Sequence, residues 1–560
     1  MYTVLSPLYK MKTGLPDWWG VSLFIFSFCL LVSCGDPEKG EGKLNVFRYN
    51  EASNISGLDP AYARDQSVIW PVNQLFNGLV QMDDYLNIRP CIARSWEISG
   101  DGKEYTFHLR QDVYFHPDPV FKKQGTRKVK ASDFVFSFRR IIDPITASSG
   151  SWIFDHVETN GLKPAFFSVN DSTLVIRLES PYPPFLSMLA MPYASVVPWE
   201  AVEVYSTGFR RHPVGTGPFM FKYWKEGVKL VLVKNPLYFE TEGGKALPFL
   251  DAVSVSFLSD KQSSFLEFIK GNIDFISGVD PSYKDELLTK DGRLRPKYNS
   301  RFDLITQPYL NTEYLGFLVD EKNTDGKPNP LNDKRIRKAI NLAFDRKKMI
   351  LFLRNNIGTP GVRGIIPRGL PGFDSSVVYY DYRPEVSKRL LAEAGYPGGK
   401  GLPPVTLVST PDYLDFCKHI QHQLSEIGVE MEIEVNTPAA VKEMKARARL
   451  PFFRASWIAD YPDAENYLLM FLSSNFCPRG PNYTHFSDPS FDRLYELAMN
   501  QPVDSIRFEL YRKMEKIMMA ESPVVVLYYD QVLRFVSKKV RGLGSNPMNM
   551  LTLKKVSIIR

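Results

Sequence analysis

Cysteine is scarce in this 560-residue chain, which contains five. Two of them, Cys29 and Cys34, lie in or directly after an apolar N-terminal run, so Cys91, Cys417 and Cys477 remain for the rest of the chain. An exported chain could bridge two of these three, which allows at most one disulfide. The sequence does not choose among the three possible pairings.

Long apolar runs are also rare. The run from Trp18 to Val32 spans 15 residues, whereas a membrane-spanning helix needs about 20. It ends in LVSCG, where small residues precede Cys34, and this pattern resembles the lipobox of bacterial lipoproteins, whose cysteine carries the lipid. We therefore interpret residues 1–33 as a lipoprotein signal peptide and Cys34 as the lipidated residue. The alternative is an ordinary secretory signal in which Cys34 has no role.

The rest of the sequence lacks any segment apolar enough to span a bilayer. Residues 34–42 are predicted to be a flexible tether that holds the folded body away from the membrane. We therefore expect an exported, lipid-anchored protein in the periplasm or on the outer face of the cell envelope. The sequence does not indicate which membrane carries the anchor.

Motifs for catalysis and for cofactors are missing too. The segment GYPGGKGL lacks the spacing of a phosphate-binding loop, and no nucleophile-elbow motif occurs. Among the seven histidines, His419 and His422 lie near Cys417 and could form one metal-binding face of a helix. Because no fourth ligand lies nearby in the sequence, a solvated pair is the simpler interpretation. We predict a protein that is not an enzyme and that holds no metal or cofactor.

The charge pattern excludes a nucleic-acid surface. The formal net charge is +7, and the basic residues form short scattered clusters such as Lys122–Lys130 and Lys445–Arg449. These clusters lack the interleaved aromatic residues on which bases stack. They are typical of solvated faces, so no nucleic-acid partner is expected.

What the sequence does contain is an alternation of strand and helix patterns. Glu104–Phe115 has the period of two that half-buried strands show, and Phe219–Phe239 indicates a hairpin. Helical spacing marks Ala131–Ile142, with Ser132 as the expected N-cap, and Asp333–Arg354 as one amphipathic helix. Helices that pass directly into strands indicate an α/β protein, and the chain length predicts two or three lobes.

Several segments follow one another in a characteristic order. They are IARSWEISGDGKEYTFHLRQDVYFH with KASDFVFSFRRIIDP, GTGPFMFKYWKEGVKLVLVKNPLYF, LNDKRIRKAINLAFDRKKMI, SKRLLAEAGYPGGKGLP, HQLSEIGVEMEI and WIADYPDAENYL. Together they resemble the bacterial extracellular solute-binding proteins of family 5, whose best-known members are the oligopeptide- and dipeptide-binding proteins of ABC importers. The resemblance covers residues 43–560.

This resemblance implies an α/β, periplasmic-binding-protein-like fold of type II, with mixed sheets and three lobes. Lobe I is expected to combine residues 43–79, 214–305 and 526–560. Lobe II is expected to be an insertion of residues 80–213, and lobe III to span residues 306–525. The crossovers between lobes are expected to act as a hinge whose closure buries the ligand.

The segment RASWIADYPDAENYLLMF, residues 454–471, places a carboxylate at Asp460 between apolar runs. A protein that binds peptides regardless of side chains must recognise their amine, carboxylate and backbone groups. In the oligopeptide-binding relatives, the Asp of the W-x-A-D-Y motif pairs with the α-amine of the peptide, which implies that role for Asp460. The alternative for Asp460 is a cap or a buried ion pair. Asp463 is more simply a turn or cap residue after Pro462.

Other candidate ligand-binding residues are implied by the same resemblance: Trp457, Arg454, Trp152, Tyr483, His485 and Lys445. Trp457 matches a residue that lines a side-chain pocket, and Arg454 matches a basic pocket residue. Trp152 lies where relatives that bind longer peptides carry a Tyr. The basic residue at the carboxylate end of the peptide is left open between Lys445 and Arg447, and so is the peptide length.

The predicted function is therefore a lipid-anchored receptor that captures peptides and delivers them to an ABC permease and its ATPase. We expect it to act as a monomer. Other cargoes known for the family, namely murein peptides, nickel chelates and haem, are alternatives. A non-transport role as a surface receptor or adhesin is a further alternative, and it predicts no closure around a ligand.

Overall fold

The computed structural model of the protein describes residues 44–160, 163–319 and 329–559. The predicted signal peptide, the predicted tether and Cys34 lie outside these residues. From Asn45 onward the chain forms one unit. Within the described ranges, every helix is either too short or too polar to cross a membrane.

Eleven strands of the described chain form one mixed sheet. In chain order they are Val46–Asn50, Phe219–Lys225, Lys229–Lys234, Ala252–Ser256, Phe275–Ser277, Phe302–Phe317, Thr359–Pro360, Val405–Ser409, Met431–Val435, Phe452–Ile458 and Val524–Ser537. At the centre, the long strands Phe302–Phe317 and Val524–Ser537 run antiparallel. Phe452–Ile458 pairs antiparallel with the other edge of Phe302–Phe317, which brings residues far apart in sequence side by side.

A second, four-stranded antiparallel sheet is formed within residues 80–213. Its strands are Ala93–Ile98, Glu104–Leu109, Phe166–Asn170 and Thr173–Arg177. Two-stranded ribbons pair Val80–Met82 with Ile88–Pro90, Thr159–Asn160 with Lys163–Pro164, Thr241–Glu242 with Lys245–Ala246, and Val540–Arg541 with Ser557–Ile558. The strands on either side of residues 80–213 join the large sheet. The lobe boundaries predicted from the sequence stay a prediction.

Helices pack on these sheets and connect their strands. In chain order they are Gln66–Leu75, Ala131–Ile142, Phe185–Met188, Trp199–Tyr205, Lys261–Lys270, Pro281–Leu287, Lys334–Leu342, Arg346–Arg354, Pro384–Glu393, Leu414–Ser425, Pro438–Ala446, Glu465–Leu468, Pro489–Met499 and Asp504–Glu521. The predicted strand within Glu104–Phe115 and the hairpin within Phe219–Phe239 are confirmed.

The prediction of one helix over Asp333–Arg354 is wrong. The structure has two helices, Lys334–Leu342 and Arg346–Arg354. The carboxylate of Asp345 accepts the backbone N–H groups of the first turn that follows it, at 2.9 and 3.1 Å. Such an N-cap starts a new helix even though the apolar period continues across it.

Ser132 is not the N-cap of the helix Ala131–Ile142, contrary to the prediction. The helix begins two residues earlier than that cap requires, so Lys130 occupies the capping position. The carboxylate of Asp133 reaches back and accepts the Lys130 backbone N–H at 2.8 Å. A first-turn acid can satisfy this donor and favour the helix N-terminus by its charge.

Both faces of the strand Phe452–Ile458 carry apolar residues. Successive side chains point to opposite sides of a sheet, so neighbouring residues pack in different clusters. Phe453 and Ala455 pack in one apolar cluster, and Phe452 packs in another. Arg454 therefore shares the Phe452 face, whereas Trp457 packs against the other cluster.

The three cysteines of the described chain, Cys91, Cys417 and Cys477, are buried and carry free thiols. None of the three pairings that the sequence left open is formed. Burial raises the pKa of the Cys91 thiol to about 12.

Candidate functional site

The candidate site begins where the strand Phe452–Ile458 ends and the short helix Glu465–Leu468 starts. Asn466, which is 2% exposed, connects the two elements. Its side-chain oxygen accepts the indole N–H of Trp457 at 2.9 Å and the backbone N–H of Asp460 at 3.1 Å. One buried amide thus fixes the position of both sequence-predicted residues.

Asp460 presents its carboxylate at an exposed position. The protein nevertheless surrounds it closely, and desolvation raises the pKa of Asp460 to about 6 although Asn466 bonding lowers it. Asp460 forms no ion pair with any residue of the described ranges. It is a desolvated carboxylate without a cation.

Residues of the segment 80–213 approach the turn that carries Asp460. The pKa of Tyr193 is raised, chiefly by burial, and the negative charge of Asp460 adds to the shift. The Tyr193 ring packs on Gly150 so closely that a Cβ there would lie 2.2 Å from it. The ring of Trp152 lies 6.1 Å from the ring of Tyr461, the neighbour of Asp460. The structure therefore places Trp152 beside the turn that carries Asp460.

Arg454 differs from Asp460 because the protein supplies its partner. Its guanidinium forms an ion pair with Glu313, whose side chain is 3% exposed. It also stacks on Tyr413, 3.3 Å from the ring centroid. Nearby, Arg354 pairs with Asp530 and also feels the charge of Glu313, so two ion pairs lie close together here. Arg454 is thus held by the protein itself, and its predicted role toward a ligand stays a prediction.

Lys445 and Tyr483 lie together near Phe453 of the same strand. The Lys445 ammonium lies 4.5 Å from the Tyr483 ring centroid and 6.0 Å from that of Phe453. Desolvation, together with the nearby charge of Arg454, lowers the pKa of Lys445 to about 8. Lys445 has no carboxylate partner in the described part of the chain. Within the described residues, Lys445 is thus a desolvated cation without an anion, just as Asp460 is a desolvated anion without a cation.

His485 is engaged with its own neighbours. Its Nε2 lies 3.3 Å from the Sγ of Cys477, and its ring stacks on Phe476 with centroids 4.5 Å apart. Its predicted place in a pocket wall stays a prediction. Asp463 accepts the Glu465 backbone N–H at 2.9 Å and pairs with Arg507 at 3.2 Å. Of the two interpretations offered, turn or cap, the structure fits the turn, because Ala464 occupies the N-cap position of the helix.

Asn466, Tyr193 and Glu313 are the residues that the sequence analysis missed. Asn466 follows Asp460 closely, and its position at the start of a short helix could have signalled a cap. Tyr193 and Glu313 carry no local signal, since each reaches the site from an element that is distant in the sequence.

A cavity of about 640 Å³ lies elsewhere, and its lining includes Gln81, Arg110, Glu240 and Lys554. None of the predicted ligand-binding residues lines it. Glu240 and Lys554 pair with each other there, so their charges are already neutralised. We therefore place the candidate site at Asp460. No cluster of three or more potential metal ligands occurs among the residues that the structure describes.

Comparisons with known proteins agree with this architecture. Residues 87–476 match the family model described as Bacterial extracellular solute-binding proteins, family 5 Middle. The chain is 28% identical over 542 residues to Heme-binding protein A of Haemophilus influenzae, covering 94% of each chain. It is 27% identical over 501 residues to the Dipeptide-binding protein of Escherichia coli K12, covering 86% of this chain and 89% of that protein. The solved structure of the ABC transporter-associated periplasmic binding protein DppA from Helicobacter pylori, in complex with peptide STSA, has a TM-score of 0.72 and 25% identity, covering 92% of this chain and 98% of that one.

Proposed function

The chain belongs to the bacterial extracellular solute-binding proteins of family 5, and from this premise we propose that it captures short peptides for uptake by an ABC importer. The family and the α/β periplasmic-binding-protein-like fold that the sequence predicted are confirmed. The observation that carries the peptide proposal is the unpaired, desolvated carboxylate of Asp460.

A peptide amine is the group that this carboxylate suits. A desolvated anion is costly unless a cation joins it, so the site favours a ligand that carries positive charge. The resulting charge-assisted hydrogen bond contributes roughly 1.5–3 kcal/mol. The relatives named for dipeptides and solved with a bound peptide support this choice of cation.

Lys445 supports the opposite end of the ligand. Its ammonium is desolvated and without a carboxylate in the described chain, so it suits the carboxylate terminus of a peptide or an acidic side chain. Trp457 and Tyr483 supply apolar surface near the two charges. The site thus offers an anion, a cation and aromatic walls, as peptide recognition requires.

The transport setting is part of the same proposal. We infer that residues 1–33 direct export, that Cys34 carries the lipid and that residues 34–42 form the tether. The monomeric receptor would then close around its cargo in the periplasm or on the outer face of the envelope and deliver it to an ABC permease with its ATPase. Family membership supports this arrangement.

Haem is a second candidate cargo, because a relative of similar length is named for it. Haem carries two propionates and no amine, so a propionate would pair with Lys445, and Asp460 would have no cation to bind. Native mass spectrometry of protein purified without refolding separates the candidates. A ladder of peptide masses supports the first proposal, and a single haem or a murein fragment supports the alternative.

The decisive experiment compares free and N-acetylated trialanine by calorimetry. The unsubstituted protein is expected to bind the free peptide at least about tenfold more tightly than the acetylated one, because acetylation removes the cation. Asp460→Asn should lose this preference while keeping its melting temperature. Asp171→Asn, at an exposed carboxylate paired with Lys130, is the matched control and should keep the preference. Equal affinity of Asp460→Asn and unsubstituted protein would rule out the amine-anchor role.

A further inference from the structure

A buried group of hydroxyls lies directly beside the Asp460 site. The Glu465 carboxylate is 1% exposed and accepts the phenol O–H groups of Tyr461 and Tyr495. The hydroxyl of Tyr182 lies 3.3 Å from that of Tyr461. Because Tyr461 donates to Glu465, its oxygen is left to accept the proton of Tyr182.

This chain of hydroxyls joins two parts of the molecule. Tyr182 belongs to the segment that forms the four-stranded sheet, directly before the helix Phe185–Met188. Tyr461 and Glu465 follow a strand of the large sheet. The Trp152 ring lies 6.1 Å from the Tyr461 ring, and His156 stacks on Tyr182 at 3.8 Å. Two aromatic residues of the opposite segment, Trp152 and Tyr182, therefore lie against Tyr461.

The same short turn carries the carboxylate of Asp460. Asp460 and Tyr461 are consecutive, and the amide of Asn466 holds the backbone of Asp460. A ligand bound to Asp460 and the hydroxyl contact of Tyr461 therefore act on one fixed piece of backbone. Any motion that separates the two segments must break the Tyr182–Tyr461 hydrogen bond and expose the Tyr461 ring.

We propose that Tyr182 and Tyr461, with Glu465 as the residue that orients the Tyr461 hydroxyl, form a latch that holds the two segments together over the Asp460 site. The effect of this latch on peptide affinity rests on the proposed peptide-binding function. Tyr182 acts here as a positioning residue, because it reaches the site through Tyr461. A weaker latch lowers the fraction of closed protein, and the apparent dissociation constant rises by the same factor.

The test begins with Tyr182→Phe, which removes one hydroxyl and keeps the ring. We expect trialanine to bind three- to tenfold more weakly by calorimetry, with the loss in a faster dissociation rate by stopped flow. Tyr205→Phe is the matched control, since the Tyr205 hydroxyl bonds Asp118 at 2.8 Å within its own segment, and it should bind normally. Measurements are made at pH 8, above the pKa of Glu465, which burial raises to about 7.

A second readout needs no peptide. Spin labels on Ile145→Cys and Val435→Cys, at two exposed positions on the two segments, report their separation. We expect Tyr182→Phe and Tyr461→Phe to shift the distance distribution toward longer values, and the double variant to add nothing further. If trialanine fails to bind the unsubstituted protein but the distances shift, the proposed function fails and the latch stands. Unchanged distances together with unchanged dissociation overturn the latch.

Discussion

Arg454 and Asp460 lie in one strand-to-turn segment, yet their surroundings are opposite. Arg454 is stacked on Tyr413 and paired with the buried carboxylate of Glu313. Asp460 is exposed and has no cation among the described residues. The first charge is neutralised by the protein, and the second is available to a ligand.

The difference shows how to separate structural charges from binding charges. A buried charge without its partner costs several kcal/mol, so a folded protein pairs the charges that it buries for its own stability. A desolvated charge left without a partner lowers stability and is retained where a ligand completes it. By this criterion Lys445 and Asp460 are binding charges, whereas Arg454 and Glu313 are structural charges.

The largest expected effect is on the stability of the Arg454 region. Arg454→Met leaves Glu313 buried without a cation, so the free energy of unfolding in urea should fall by about 3–5 kcal/mol. Asp460→Asn should change it by less than about 1 kcal/mol, since no internal cation is left unpaired. Adding Glu313→Gln to Arg454→Met should restore part of the loss. If Arg454→Met unfolds at the same urea concentration as unsubstituted protein, the pair is not structural and the comparison fails.

The pH dependence of binding should be smaller and confined to the Asp460 region. The ionised carboxylate binds an amine, and its pKa of about 6 means that roughly one molecule in ten is ionised at pH 5. Affinity for trialanine should therefore be about tenfold weaker at pH 5 than at pH 7.5. Calorimetry at both pH values checks this, and Asp460→Asn should remove most of the pH dependence, leaving the smaller part that protonation of Glu465 causes through the latch. A tenfold dependence that persists in that variant would assign it to another group.

The smallest expected effect concerns Lys445. Replacement by Met removes a desolvated ammonium, so stability at pH 7 should rise slightly, by less than about 1 kcal/mol, because the residue is only partly buried. The same variant should lose any preference for trialanine over its C-terminal amide. Lys442→Met, at an exposed position on the same helix, is the control. A loss of stability in Lys445→Met would place the residue with the structural charges.

Much of the fold could be read from local patterns. The hairpin Phe219–Lys225 with Lys229–Lys234 and the helix Ala131–Ile142 follow from period and turn residues that lie within a few positions of one another. The break at Asp345 was missed because a cap and a continuing apolar period gave opposite signals. In the structure the cap prevailed, since it satisfies backbone donors directly.

The sequence by itself determined the α/β class and the family and pointed to Asp460 as a candidate, because these depend on short motifs and on periodicity along the chain. Only the tertiary structure decided which charges are free. Glu313 lies beside Arg454 through strand register, and Tyr182 reaches Tyr461, the neighbour of Asp460, from a distant segment. Contacts of this kind depend on packing between elements, which no local pattern encodes.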